Sequence, residues 1–133
     1  MKMNDLIIYQ IFPLRAFTDE ETEHGILEAI DWIPHIKNIG ANAVYFSPVF
    51  ESSEHGYDTK NYCLIDHRLG TNEDFKKVCQ AYKEAEIQVI LDGVFNHVGR
   101  EFWAFEDVKE KKWDSAYKDW FCINFDGNSG YDD

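Results

Sequence analysis

The densest run of polar side chains in the sequence is DGVFNH, residues 92–97. It brings Asp92, Asn96 and His97 close together along the chain. A carboxylate can orient a guanidinium, an amide oxygen can bind Ca²⁺, and an imidazole can donate to a ligand hydroxyl. A loop with a capping aspartate and a solvent-facing histidine would give the same pattern. The run therefore marks a candidate site and leaves both interpretations open.

A second cluster combines Gly56, Tyr57 and Asp58 with Tyr62. The face of a tyrosine ring can stack on a pyranose ring, and a neighbouring carboxylate can accept hydrogen bonds from ring hydroxyls. Composition alone favours a turn instead, in which the glycine supplies backbone freedom and the tyrosine covers the core.

Other familiar chemistries have little support in the sequence. His55, Asp58 and His67 could suggest a metal site, but their spacing matches no metal-binding motif. No apolar run is followed by GxGxxG or by a GxxxxGK loop, so a nucleotide site is not indicated. The GxSxG motif of serine hydrolases is also absent.

The elements that must position these residues follow from the apolar pattern. Short apolar runs at residues 6–12, 43–46 and 88–91 predict three strands. The nearly continuous run at 6–12 is typical of a strand buried on both faces, and 43–46 is a second buried-strand run. Isoleucines at helical spacing over residues 26–36 predict a first helix. Pro34 should break or restart that helix near residues 32–33, and Gly40 suits the position just past its end.

A second helix is predicted after a long polar loop that contains residues 55–58. Thr71 and Asp74 have the spacing of an N-terminal cap pair. They are followed by an apolar helical stripe formed by Phe75, Val78, Cys79 and Tyr82. From about Val98 the pattern changes, and we expect one or two short helices and no fourth strand.

This order of strands and helices suits right-handed βαβ crossovers in a parallel sheet. Three such units fit either a doubly wound sheet or part of a barrel. In both architectures, ligands gather where the strands end and the loops begin. The segments expected there are residues 9–15, 47–62 and 92–99.

The composition limits the classes of partner that the protein is expected to bind. The 133 residues include 13 Lys and Arg against 25 Asp and Glu, a net charge of −12, which argues against nucleic acid and anionic membranes. We expect no membrane-spanning helix and no signal peptide. Three widely separated cysteines fit reduced thiols in the cytoplasm. The length is too short for a complete eightfold β/α barrel, which needs about 250 residues.

Four motifs in order resemble glycoside hydrolase family 13, the α-amylase family, and most closely its neopullulanase and cyclomaltodextrinase-like branch. They are IIYQIFPLRAF, NIGANAVYFSPVFES, HGYDTKNYCLIDHRLGT and DGVFNHVG, with YKDWF beyond them. The resemblance spans nearly the whole chain. It implies an α/β fold that forms the N-terminal three βα units of a (β/α)8 TIM barrel. Residues 1–97 would form this partial barrel, and residues 98–133 would begin the domain B inserted after strand 3, in which the chain is truncated.

The resemblance also implies roles for particular residues. Tyr57 would stack on the sugar in subsite −1, His97 would hydrogen-bond that sugar, and Asp58 is similar to an acid that contacts the non-reducing-end glucose. Asp92 resembles the acid that orients an active-site arginine. Asn96 matches a residue that binds Ca²⁺ in many amylases, although no cofactor is required for the reaction. His67 stands where the family commonly has proline, and Cys122 often corresponds to histidine.

The resemblance predicts that the parent protein hydrolyses α-1,4 bonds, with α-1,6 bonds as a second linkage, in malto-oligosaccharides or cyclodextrins. The retaining mechanism needs an Asp nucleophile and a Glu acid. The GxRxD motif that carries the nucleophile is absent here, so the 133-residue chain alone should be inactive. A glucanotransferase, a sugar isomerase and a non-catalytic amylase-like binding protein remain alternatives. Some members of the branch are dimers, which leaves a homodimer of the parent open.

Overall fold

The structure is a computed structural model that describes residues 5–18 and 23–127. Five strands and four α-helices lie within these ranges, together with three 3₁₀ segments, Gly25–Trp32, Lys112–Asp114 and Lys118–Trp120. The strands are β1 Ile8–Ile11, β2 Ala43–Phe46, β3 Phe50–Ser52, β4 Thr59–Ile65 and β5 Gln88–Leu91. The α-helices are α1 Pro13–Ala16, α2 Ile33–Asn38, α3 Asn72–Glu84 and α4 Trp103–Lys111.

A three-stranded parallel sheet in the order β1-β2-β5 confirms the three predicted strands. Both connections place their helices on the same face of this sheet. Tyr9 of β1 packs its ring against Trp32, and Phe46 of β2 packs its ring against Phe75 and Tyr82 of α3. A doubly wound sheet carries helices on both faces, whereas a barrel carries them on the outside only. The arrangement is therefore that of a barrel segment.

The first predicted helix is split as Pro34 required. Gly25–Trp32 forms a 3₁₀ helix, and α2 begins at Ile33 with the proline in its first turn. A proline there loses no helical hydrogen bond, because the first N–H groups of a helix have no intrahelical partner. Gly40 follows the end of α2 with φ of +82°, a conformation that favours glycine.

The N-terminus of α3 has the predicted cap. The Thr71 side chain accepts from the Asp74 backbone N–H, and the Asp74 carboxylate accepts from the Thr71 backbone N–H at 3.0 Å. His24 Nδ1 lies 2.7 Å from the same carboxylate. The Thr71 hydrogen bond, with help from His24 and Lys77, outweighs burial and holds the pKa of Asp74 well below its usual range.

The core lies between the sheet and its helices, and the other face of the sheet is open. Val44 and Phe46 of β2 are fully buried with Ile26, Ile36 and Val78 of the helical layer. On the open face, Ile8 is 52% exposed. The prediction that the first strand is buried on both faces is therefore wrong, because Ile8 and Gln10 of β1 are exposed on the open face.

The polar loop predicted after the second strand contains an antiparallel pair, β3 and β4, which the sequence interpretation missed. Beyond residue 98, one α-helix and two 3₁₀ segments match the expected short helices, and residues 98–127 contain no strand. No helix among the described residues has the length and apolar character needed to cross a membrane.

Candidate functional site

Three loops meet at the edge of the sheet where its parallel strands end. They are the α1 turn after β1, the segment from Ser47 to Asp58 after β2, and residues 92–99 after β5. Parallel strands end at a common edge, so residues far apart in sequence can meet there. Residues of these loops contact one another, as described below.

Tyr57 and His97 meet at this edge although they are 40 residues apart. His97 Nε2 lies 3.0 Å from the Tyr57 backbone carbonyl oxygen, and with its proton on Nε2 the imidazole donates to that oxygen. The Tyr57 side chain is 38% exposed, and its ring packs edge-on to Phe12 with centroids 6.2 Å apart. Tyr57 is thus partly exposed, and the imidazole of His97 meets the backbone of the same residue.

Asp58 shapes the loop that carries Tyr57. Its carboxylate accepts from the backbone N–H groups of Glu54 at 2.7 Å and of His55 and Gly56 at 3.1 Å each. Three main-chain donors on one carboxylate fix a tight turn. This loop-building role was not predicted from the sequence, and a contact between Asp58 and glucose stays a prediction.

Asp92 lies just past β5, on the open side of the sheet. Its backbone N–H donates to the Phe46 carbonyl at 3.0 Å, which extends the pairing of β5 with β2. Its carboxylate lies beside the hydroxyl of Tyr45. Tyr45 on β2 is the register partner of Ile90 on β5. Burial, then the hydrogen bond and charge of Asp92, raise the pKa of Tyr45 to about 12.

The open face therefore carries more polar groups than the sequence analysis identified. Gln10 of β1 donates from Nε2 to the Ser47 hydroxyl at 3.1 Å, next to Tyr45 on β2. Gln10 and Ser47 fall within the strand-end segments expected to gather ligands, but no role was assigned to them, and Tyr45 was assigned only to a strand. A polar glutamine inside the run LIIYQIF was the signal that could have identified this face.

Asn96 is exposed in the loop after β5. Calcium takes six to eight oxygen ligands, of which Asn96 would supply one. Among the described residues, Glu51, Asp66 and His67 form a group of three His and carboxylate side chains whose ligand-type atoms lie within 4.8 Å of one another. Calcium binding at Asn96 stays a prediction.

The Glu51, Asp66 and His67 group is an internal hydrogen-bond network. The buried Asp66 carboxylate accepts from Ser52 and from Arg68 Nε and Nη2, at 2.7–3.1 Å. Glu51 accepts from the His67 backbone and ring nitrogens, both at 2.8 Å. Burial acts to raise the pKa of Asp66, but the hydrogen bonds from Arg68 and Ser52 outweigh it and the pKa is lowered. His67 is thus engaged with Glu51, while His55 Nδ1 lies 3.4 Å from Asp58.

Gly99 and Tyr62 hold the loop that carries His97. The Gly99 N–H donates to the Thr59 carbonyl at 2.9 Å. A Cβ at position 99 would lie 2.4 Å from the Asp58 carbonyl oxygen, so the backbones approach too closely for any side chain. The Tyr62 hydroxyl donates to the Val94 carbonyl, which ties β4 to the same loop. The sequence analysis assigned neither of these positioning roles.

A cavity of about 320 Å³ opens beside Tyr57. The α1 turn and the end of β1 contribute Phe12, Leu14 and Arg15. The segment after β2 contributes Glu54, His55 and Tyr57, and Arg68 completes the lining. Its size lies at the lower end of the range for small-ligand sites, about 300–1,000 Å³.

The one-sided parallel sheet, with polar side chains at its strand ends, defines a β/α barrel segment. Comparison with protein families finds a match to the α-amylase catalytic domain over residues 10–130. Because this match covers most of the sequence, the chain belongs to the α-amylase catalytic-domain family. The family resemblance seen in the sequence motifs is confirmed.

Individual relatives agree with this assignment. Neopullulanase 2 of Thermoactinomyces vulgaris is 37% identical over 90% of this chain and 24% of its own length. A cyclomaltodextrinase of Bacillus sp is 38% identical over 91% of this chain and 25% of its own length. The chain thus spans about a quarter of the length of these curated relatives.

Solved structures show the same fold. The cyclic alpha-maltosyl-(1→6)-maltose hydrolase of Arthrobacter globiformis in complex with maltose matches with a TM-score of 0.81 and 40% identity. That match covers 94% of this chain and 33% of the hydrolase. A debranching enzyme from Nostoc punctiforme matches with a TM-score of 0.78 and 34% identity, over 96% of this chain and 31% of that enzyme.

Proposed function

We propose that the protein carrying this chain is a retaining α-glucan hydrolase. It cleaves α-1,4 bonds, and α-1,6 bonds as a second linkage, in malto-oligosaccharides or cyclodextrins. The observation that carries the proposal is the contact between His97 and Tyr57 in a chain of this family. The names of its relatives, neopullulanase and cyclomaltodextrinase, support this class of substrate.

In this proposal Tyr57 stacks on the sugar nearest the scissile bond, and His97 donates a hydrogen bond to one of its hydroxyls. Asp92 orients an active-site arginine, and Asp58 contacts the non-reducing end of the substrate. The partial exposure of Tyr57, and the contact of the His97 imidazole with the Tyr57 carbonyl, support the first pair of roles. The position of Asp92 at the end of β5 supports the third.

The nucleophile and the acid of the retaining mechanism would come from other parts of the protein, because this sequence holds no GxRxD motif. We assign residues 1–97 to the partial barrel and residues 98–133 to the start of an inserted domain. The change after β5, from sheet to α4 and two short 3₁₀ segments, supports that boundary.

We further propose a cytoplasmic location and no nucleic-acid partner. Cys63, Cys79 and Cys122 are free thiols, as expected in a reducing compartment. The net charge of −12 disfavours a phosphate backbone as partner. A homodimer of the parent stays a prediction, which sedimentation of that protein would check.

The test is to assay the parent protein on maltotriose, β-cyclodextrin and pullulan and to identify the products. We expect release of maltose or glucose with retained anomeric configuration. His97→Ala should lower kcat/KM about 100-fold, as for other preorganised donors at a reacting centre. Tyr57→Ala should weaken substrate binding, whereas Tyr57→Phe, which keeps the ring, should not.

His35→Ala is the matched control, because His35 is exposed on α2 at the opposite face of the sheet. It should leave kcat/KM unchanged. A parent protein that binds these glucans without cleaving them would contradict the hydrolase proposal in favour of a binding protein. Transfer products without net hydrolysis would identify a glucanotransferase instead.

A further inference from the structure

Two arginines line the cavity beside Tyr57, and they differ in how far their guanidinium groups are hydrogen-bonded. Arg68 is fully engaged, since its guanidinium donates to Asp66, to the Ser52 hydroxyl and to the Glu54 carbonyl. Arg15 lies in the last turn of α1 and is exposed. Among residues 5–18 and 23–127, no hydrogen bond or ion pair engages the Arg15 side chain. Its five N–H donors are thus open to a ligand in the cavity.

The rest of the lining fits a neutral polyol better than an anion. Glu54 places a carboxylate in the same cavity as Arg15, and a carboxylate would repel a phosphate. A sugar has hydroxyls that can donate to Glu54 and accept from Arg15. The rings of Phe12 and Tyr57, in edge-to-face contact at 6.2 Å, supply the apolar surface that a pyranose face needs.

We propose that this cavity binds the glucosyl unit adjacent to the one stacked on Tyr57, and that Arg15 is the residue that recognises it. Tyr57 lines the cavity, and its backbone carbonyl meets the His97 imidazole, so the cavity adjoins the position proposed for the stacked sugar. The assignment rests on the proposed function in taking an α-glucan as the ligand. It makes Arg15 a determinant of the preference for longer substrates.

The test is NMR titration of the 133-residue chain with glucose and with maltotriose. Maltotriose should bind more tightly than glucose and shift the amide signals of Phe12, Arg15 and His55. Arg15→Ala should weaken maltotriose binding about tenfold, the loss of a hydrogen bond to a charged donor, and leave glucose binding unchanged. Lys76→Ala removes the same charge from exposed α3 and serves as the matched control.

Two results would overturn the proposal. One is the absence of maltotriose binding at Arg15. It would be seen as an Arg15→Ala chain that binds maltotriose as tightly as the Lys76→Ala chain, or as a wild-type chain whose cavity signals do not respond to maltotriose. The other is tighter, Arg15-dependent binding of glucose 6-phosphate, which would identify an anion site. Signal mapping on the wild-type chain decides the question even where the variant fails to fold.

This experiment is independent of hydrolysis. Arg15-dependent binding in a protein that cleaves no glucan would overturn the proposed function and leave the cavity assignment standing. If the parent cleaves glucans and its Arg15→Ala variant keeps the preference for maltotriose, the cavity assignment is overturned and the proposed function stands.

Discussion

At the residue scale, the position of His97 depends on a neighbour without a side chain. Gly99 lies against the Asp58 carbonyl oxygen, where an added Cβ would come within 2.4 Å. The obstructing atom belongs to the backbone and cannot rotate away. The loop after β5 must therefore shift if any larger residue occupies this position.

We predict that Gly99→Ala lowers the free energy of unfolding by about 1–3 kcal/mol, the usual effect of forced overpacking. It should also break the hydrogen bond from His97 to the Tyr57 carbonyl, because the loop that carries the imidazole is displaced. Urea unfolding measures the first effect, and the imidazole ¹⁵N signals of His97 report the second.

Gly93→Ala provides the comparison. The three atoms nearest to a Cβ there belong to the ring of Phe95, which is 81% exposed and can turn aside. This variant should change the free energy of unfolding by less than about 0.5 kcal/mol, like other surface substitutions. Equal losses in the two variants would contradict the importance of the close approach at Gly99.

The sequence predicted part of the site and not the rest. Tyr57 and His97 were predictable because strand ends gather at one edge of a parallel sheet. Gly99 and Tyr62 were not, because their roles depend on contacts with residues more than 30 positions away in the chain. Such contacts leave no local pattern of spacing or composition.

At the scale of elements, α3 is fixed at its N-terminus by the capping box of Thr71 and Asp74. The Thr71 hydroxyl is 2.7 Å from Asp74 Oδ2 and is the main reason for the lowered pKa of that carboxyl. The ionised carboxylate therefore contributes stability above the unfolded pKa of about 3.9. That contribution is lost as the pH falls towards the lowered folded value.

We predict that Thr71→Ala lowers the free energy of unfolding by about 1 kcal/mol at pH 7, the usual loss for an N-cap. The difference from wild type should persist down to about pH 4 and shrink below it, because Asp74 then becomes protonated in the unfolded state and next in the folded state. Urea unfolding at pH 7, 5 and 3 measures it.

Glu73→Gln is the control for this prediction. Glu73 is exposed in the same first turn and pairs only with Lys76 across the helix surface. Surface pairs of this kind contribute little, so the change should stay below about 0.5 kcal/mol. A Thr71→Ala difference that grows on acidification would contradict the assigned role of Asp74.

The regular elements were well predicted because each has a local cause. Pro34 split the first helix, Thr71 and Asp74 began α3, and the apolar runs became β1, β2 and β5. The β3–β4 pair was missed because its register shifts at Glu51, so the strands show no regular alternation. The network around Asp66 and Arg68 stabilises it, and only the folded structure brings that network together.

At the scale of the whole molecule, the three-stranded parallel sheet has two unpaired edges and one open face among the described residues. β1 pairs on one side with β2, and β5 pairs on one side with the same strand. Unpaired strand edges with exposed apolar side chains promote association between chains. Ile8, on β1, combines both features.

We predict that the 133-residue chain self-associates and that Ile8→Lys reduces this association, because a charge on an edge strand opposes pairing with another chain. Sedimentation velocity over a range of protein concentrations measures it. Ile39→Lys is the matched control, since Ile39 is 51% exposed but lies beyond α2, outside the sheet. Equal effects of the two lysines would show that association does not involve the β1 edge.

The hydrogen bond of His97 ends on a main-chain atom, and this has a consequence for variation at position 57. The carbonyl oxygen is present whichever amino acid is encoded there. The side chain at position 57 can therefore be exchanged, in the laboratory or over evolution, without removing the acceptor that orients the imidazole. Substitutions at position 57 therefore test the contribution of the side chain alone, because the acceptor of the His97 hydrogen bond stays in place.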